Sequence, residues 1–105
     1  MLHLKDKPTF GDIQRYVTDM EIERGFTKHT VLQECLMLGE EVGELFKAIR
    51  KQEQMKTDKT SKIGTVEEEL ADVLIFACAI ANRYGIDLEK ALREKEEINK
   101  TRVWK

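Results

Sequence analysis

The sequence has 105 residues, with 18 basic and 20 acidic side chains, a net charge of −2 and 41% hydrophobic residues. That length predicts one domain spanning residues 1–105, too apolar for disorder and too evenly charged for a general nucleic-acid binder. The longest uncharged stretch, Val73 to Asn82, is about half of a membrane-crossing helix. Lys5, Asp6 and Lys7 interrupt any apolar leader. Two cysteines, Cys35 and Cys78, are too few for a disulfide scaffold and lack metal-ligand spacing, so the expected setting is the cytoplasm.

The apolar period is helical along the whole chain. A first helix is predicted from Phe10 to Arg24, with Thr9 as its N-cap, Asp12 completing a capping box and Gly25 ending it in a left-handed turn. The second is expected from Thr30 to Gln52. The lysine-rich segment 53–64 follows as a loop. A third helix, Thr65 to Tyr84, closes at Gly85, and Asp87 caps a fourth that continues to Thr101. The expected fold is all-α, a chain of four-helix-bundle type. Residues 70–81 (LADVLIFACAIA) carry a single charge, Asp72, and a helix apolar nearly all round needs cover on most sides. Three other helices are too few for that, which predicts a homodimer or a tetramer built from dimers. Gly39 and Gly43, one turn apart, predict a close helix contact on the face opposite Glu41. Cys35 and Cys78 are expected in the core, and Trp104 over the core of a dimer.

On a helical wheel, Met37, Leu38, Val42, Leu45, Ala48 and Ile49 form the apolar arc of the second helix. Glu41 falls inside that arc, Glu44 at its edge and Glu40 toward solvent. In the third helix Val66, Val73, Phe76, Ala77 and Ile80 form the stripe, with Glu69 in its middle and Asp72 at its edge. Each helix therefore presents two acids three residues apart on or beside its buried face, where the side chains stack one above the other. Between Thr30 and Phe46, and again between Thr65 and Asn82, there are four acids and no lysine or arginine. Like charges about 4 Å apart repel by about 4 kcal/mol at an effective dielectric near 20. Four inward carboxylates must therefore take up protons, find distant cations or bind metal. No glutamate has a histidine three residues on, which removes the Glu-x-x-His pairs of di-iron bundles. An all-carboxylate set suits Mg²⁺ first and Mn²⁺ second. The fourth helix opens with Leu88, Ala91 and Leu92 and continues the same stripe as Lys95, Asn99 and Arg102, donors suited to phosphate oxygens or to offsetting the acids.

Glu40-Glu41-Val42-Gly43-Glu44, followed by Glu69-Leu70-Ala71-Asp72, resembles the EExxE…ExxD signature of the all-α nucleoside triphosphate pyrophosphohydrolases. These are the MazG-like enzymes, with dimeric dUTPases, dCTP pyrophosphatases and phosphoribosyl-ATP pyrophosphatases as relatives. The resemblance covers residues 12–102, and ELADVLIF with Lys95, Asn99 and Arg102 is most similar to the MazG and dCTP pyrophosphatase branch. It implies Mg²⁺-dependent hydrolysis of a nucleoside triphosphate between its α and β phosphates, as nucleotide-pool house-cleaning. It further implies Glu41, Glu44, Glu69 and Asp72 as metal ligands, and Lys95, Asn99 and Arg102 as phosphate or sugar contacts. Glu40 would be either an acid supporting the metal ligands from behind or a base that orients water, and Phe26 would help to hold the base. Val103-Trp104 departs from the Tyr-Pro that dCTP pyrophosphatase relatives tend to carry. Phosphoribosyl-ATP hydrolysis, or a non-catalytic helical nucleotide- or metal-binding oligomer, are the alternatives.

Overall fold

Three threonines start three of the four helices in a computed structural model that describes residues 2–104. α1 (Phe10–Arg24), α2 (Val31–Gln52) and α3 (Val66–Arg83) are capped by Thr9, Thr30 and Thr65, each hydroxyl accepting from the backbone amide three residues on. Asp12 and Gln33 return the bond to the cap amide and complete capping boxes in α1 and α2, which satisfies amides that a helix start leaves orphaned. Asp87 caps α4 (Leu88–Asn99) through the amides of Glu89 and Lys90. Gly25 ends α1 at φ 76°, a conformation that glycine adopts without steric cost. α4 stops two residues short of the expected Thr101, whose hydroxyl donates to the Ile98 carbonyl at 2.7 Å and turns the chain. The chain is all-α, and among the described residues there is no strand and no helix long and apolar enough to cross a membrane.

α3 is the central element. α2 packs along one side of it and α1 along another, while α4 leans on α1. The core lies between α1 and α3, where Val17 and Met20 meet Cys78 and Ala79 and are flanked by Leu2, Ile13, Tyr16, Ile75 and Leu88. Gln14 ties the start of α4 into this core: its amide nitrogen donates to Asn82 Oδ1 and the Ile86 carbonyl, and its oxygen accepts from the Leu88 amide at 3.0 Å.

One core expectation is corrected. Cys35 is exposed, while Cys78 is buried as expected. Gly39 and Gly43 face open space, so the close contact predicted there is not made within one chain. On α2 the spacing places Leu32, Leu36, Gly39, Gly43 and Phe46 on one stripe, because offsets of 4, 7, 11 and 14 residues return to within about 40° of the start. Its three large side chains are all exposed.

Candidate metal centre

The middle of α2 faces the start of α3, and three acids converge there. Glu41, Glu69 and Asp72 each offer a carboxylate oxygen within 4.8 Å of the other two. Glu69 is buried and the other two are half-buried. Among the described residues none of the three pairs with a lysine, arginine or histidine. Burial, the adjoining Glu69 carboxyl and the charges of Asp72, Glu69 and Glu44 push the Glu41 carboxyl up to about 7. The trio thus holds more negative charge than its surroundings stabilise. It offers only hard oxygen donors, which fits a divalent cation such as Mg²⁺ or Mn²⁺. Gly64, just before α3, is part of this arrangement: a Cβ there would collide with Glu69 Oε1. Its bare backbone is what lets that carboxylate lie where it does.

The other residues singled out in the sequence are less closely gathered. Glu44 lies outside the trio, one turn along α2, with Oε1 3.5 Å from Lys47 Nζ. Glu40 is exposed. Lys95 and Arg102 are exposed, and Asn99 Nδ2 donates to Glu96 Oε1 at 3.1 Å. Because α4 leans on α1 and makes no extended contact with α2 or α3, one chain does not bring this polar set to the acids. The notion that Lys95 and Arg102 neutralise Glu41 and Glu69 within the chain fails for the same reason. Phe26 is half-buried and stacks on His29, ring centroids 5.1 Å apart and planes 13° from parallel.

Residues 26–102 match the MazG nucleotide pyrophosphohydrolase domain. The chain belongs to the MazG family. It is 34% identical over 105 residues to dCTP pyrophosphatase 1 of Homo sapiens, an alignment covering 91% of this chain and 59% of that protein. The chain therefore spans only about three fifths of that relative. Among solved structures it is similar to YPJD of Bacillus subtilis, at 28% identity and a TM-score of 0.78, covering 94% of this chain and all of that one. It is also similar to iMazG from Vibrio DAT 722, at 33% identity and a TM-score of 0.63, covering 90% of this chain and all of that one.

This MazG chain also contains a charged cluster that sequence reasoning missed. Arg83, the last residue of α3, pairs with Glu21 Oε2 at 2.8 Å and Glu34 Oε1 at 3.4 Å. The same guanidinium donates to the backbone carbonyls of Phe26, at 3.1 Å, and of His29. Glu34 is 2% exposed and Glu21 6%. Burial and the adjacent Glu21 carboxyl raise the Glu34 pKa, against the pull of Arg83 and His29. The available signal was Glu34, seven residues before Glu41 on the same face, together with Arg83, the first base after the acid-only run of α3.

Proposed function

We propose that this chain hydrolyses a nucleoside triphosphate between the α and β phosphates, releasing a monophosphate and pyrophosphate, in nucleotide-pool house-cleaning. The observation that carries this reading is the unpaired Glu41–Glu69–Asp72 trio in a chain of the MazG family. Glu41, Glu69 and Asp72 would hold Mg²⁺ or Mn²⁺, and Glu44 would join them by exchanging Lys47 for the ion. When bound, such a cation neutralises the triphosphate and lowers the pKa of a coordinated water.

The remaining work falls to this chain's own side chains. Glu40, the exposed neighbour of Glu41 along α2, accepts the proton of the attacking water. Lys95, Asn99 and Arg102 meet phosphate oxygens from a neighbouring copy, since α4 does not reach the trio of its own chain. Phe26 contacts the base. No covalent nucleophile is needed: positioning and fixed charge account for catalysis of this type. The name of the human relative makes dCTP the first substrate to try.

The test is pyrophosphate release from each ribo- and deoxyribonucleoside triphosphate, with Mg²⁺, with Mn²⁺ and with chelator. Turnover of at least one nucleotide is expected, lost with chelator and lowered more than about 100-fold by Glu41→Gln or Asp72→Asn. Inactivity of the folded chain on the whole panel with both metals overturns the proposal. Saturable nucleotide binding without turnover would point instead to a non-catalytic nucleotide-binding module.

A further inference from the structure

The buried cluster around Arg83 has no part in the hydrolysis as described, and stability alone does not account for it. Two carboxylates buried against one guanidinium gain little over an apolar core of the same volume, because the desolvation of each charge offsets the attraction. What the guanidinium does that a leucine cannot is satisfy carbonyls outside any helix. Arg83 binds those of Phe26 and His29 while its charge is held by Glu21 from α1 and Glu34 from α2. Four chain segments thus meet on one planar fork, which fixes direction as well as distance.

The object being held is the turn between α1 and α2. The Phe26 amide donates to the Glu21 carbonyl at 2.8 Å and the His29 amide to the Phe26 carbonyl at 3.1 Å. His29 backs the phenyl ring, and its Nδ1, buried and without a hydrogen-bond partner, lies 3.4 Å from Glu34 Oε1. The backbone of the turn is therefore held by Arg83, and the ring behind Phe26 lies beside Glu34.

The place matters as well. Contacts of Glu34 with Arg83 and of Glu41 with Glu69 and Asp72 show that α2 and α3 run antiparallel. Glu34 and Glu41 share a face and are separated by about 10.5 Å along α2. The Arg83 cluster that holds the turn and the acid trio thus occupy two stations of one seam, about two helical turns apart along α2.

We infer that Arg83, braced by Glu21 and Glu34, is a positioning residue that fixes Phe26 as the stacking platform for the substrate's nucleobase, an inference that rests on the nucleotide-hydrolase reading above. Arg83→Lys keeps the charge between the two acids and removes the fork, so it tests geometry without leaving the carboxylates unpaired. Expected are KM values for nucleotides raised about tenfold by Phe26→Ala and by Arg83→Lys, with kcat within a few-fold of the parent. Phe26→Ala/Arg83→Lys should be no worse than Phe26→Ala alone. Inorganic tripolyphosphate, which lacks a base, should inhibit parent and variants equally. Glu34→Gln, which preserves size, should move nucleotide KM in the same direction and serves where Arg83→Lys melts early.

Unchanged nucleotide KM in both Arg83→Lys and Glu34→Gln, an equal loss of tripolyphosphate affinity, or multiplicative effects in the double variant would overturn the inference. Equilibrium binding of α,β-imido nucleoside triphosphates separates it from the hydrolase reading. Binding by an inactive parent that both variants weaken upholds the platform and removes the hydrolase. No binding of any such analogue by the parent removes both.

Discussion

Glu41 is the side chain whose charge conflicts most with its surroundings. It is half-buried, three carboxylates act on it, and its pKa is raised from the ordinary 4.5 to about 7. A carboxyl that holds its proton more tightly folded than unfolded stabilises the fold fully below the unfolded value and loses that contribution as pH climbs through the folded one. In chelator, melting temperature should therefore fall as pH rises from about 4.5 to about 7, and Glu41→Gln should flatten that fall. Added Mg²⁺ should stabilise the parent most at and above neutral pH, where its ligands are ionised, and should do little for the variant. Thermal melts across this range, with and without metal, check both statements. A parent that melts independently of pH in chelator would mean that Glu41 is already compensated.

At the scale of elements, the helices were readable because each carries its own start signal. Thr9, Thr30, Thr65 and Asp87 cap where the apolar period begins, and Gly25 ends α1 as the sequence indicates. The convergence of Glu41, Glu69 and Asp72 was readable too, since the wheel of each helix turns its acids toward the buried side. What the wheel cannot say is which helix a face will meet. Hence Glu21, Glu34 and Arg83, on three separate helices, left only a partial signal in the placing of Glu34 and Arg83, and Lys95, Asn99 and Arg102 looked like neighbours of acids that α4 does not approach. α4 itself is anchored chiefly at its start. Gln14 caps the junction by bonding Ile86, Leu88 and Asn82, whereas none of the α4 residues is buried. Gln14→Ala should cost about 1–3 kcal/mol through the partners left unsatisfied. It should also speed amide hydrogen exchange across residues 88–99 more than in α2, as mass spectrometry of exchanged peptides would register.

At the scale of the molecule, the chain is too open for its size. Its radius of gyration is 16.3 Å, against about 13 Å for a compact chain of this length. Its accessible surface is 8426 Å², about 2,400 Å² more than a compact monomer of this mass exposes. That excess is of the order that permanent subunit interfaces bury. Its apolar part includes Leu36 and Phe46, 64% and 61% exposed, on either side of the open Gly39 and Gly43. Glycines four apart between large apolar side chains let a second helix approach closely, and the charged residues Glu41 and Glu44 lie away from this stripe. We predict a second copy as the occupant. It would cover the part of α3 that one chain leaves bare, at Leu70 and Leu74, and it would supply the phosphate donors that α4 withholds from its own trio. Sedimentation at micromolar concentration should give a mass of at least two chains of 12.2 kDa. Leu36→Glu or Phe46→Glu, placing a charge on the stripe beside the glycines, should weaken association at least 100-fold, to judge by about 3 kcal/mol lost at a well-packed contact. Activity should fall with the dimer, not with helix content. A monodisperse parent monomer with full nucleotide turnover would show that the open face serves some other partner and that each chain completes its site alone.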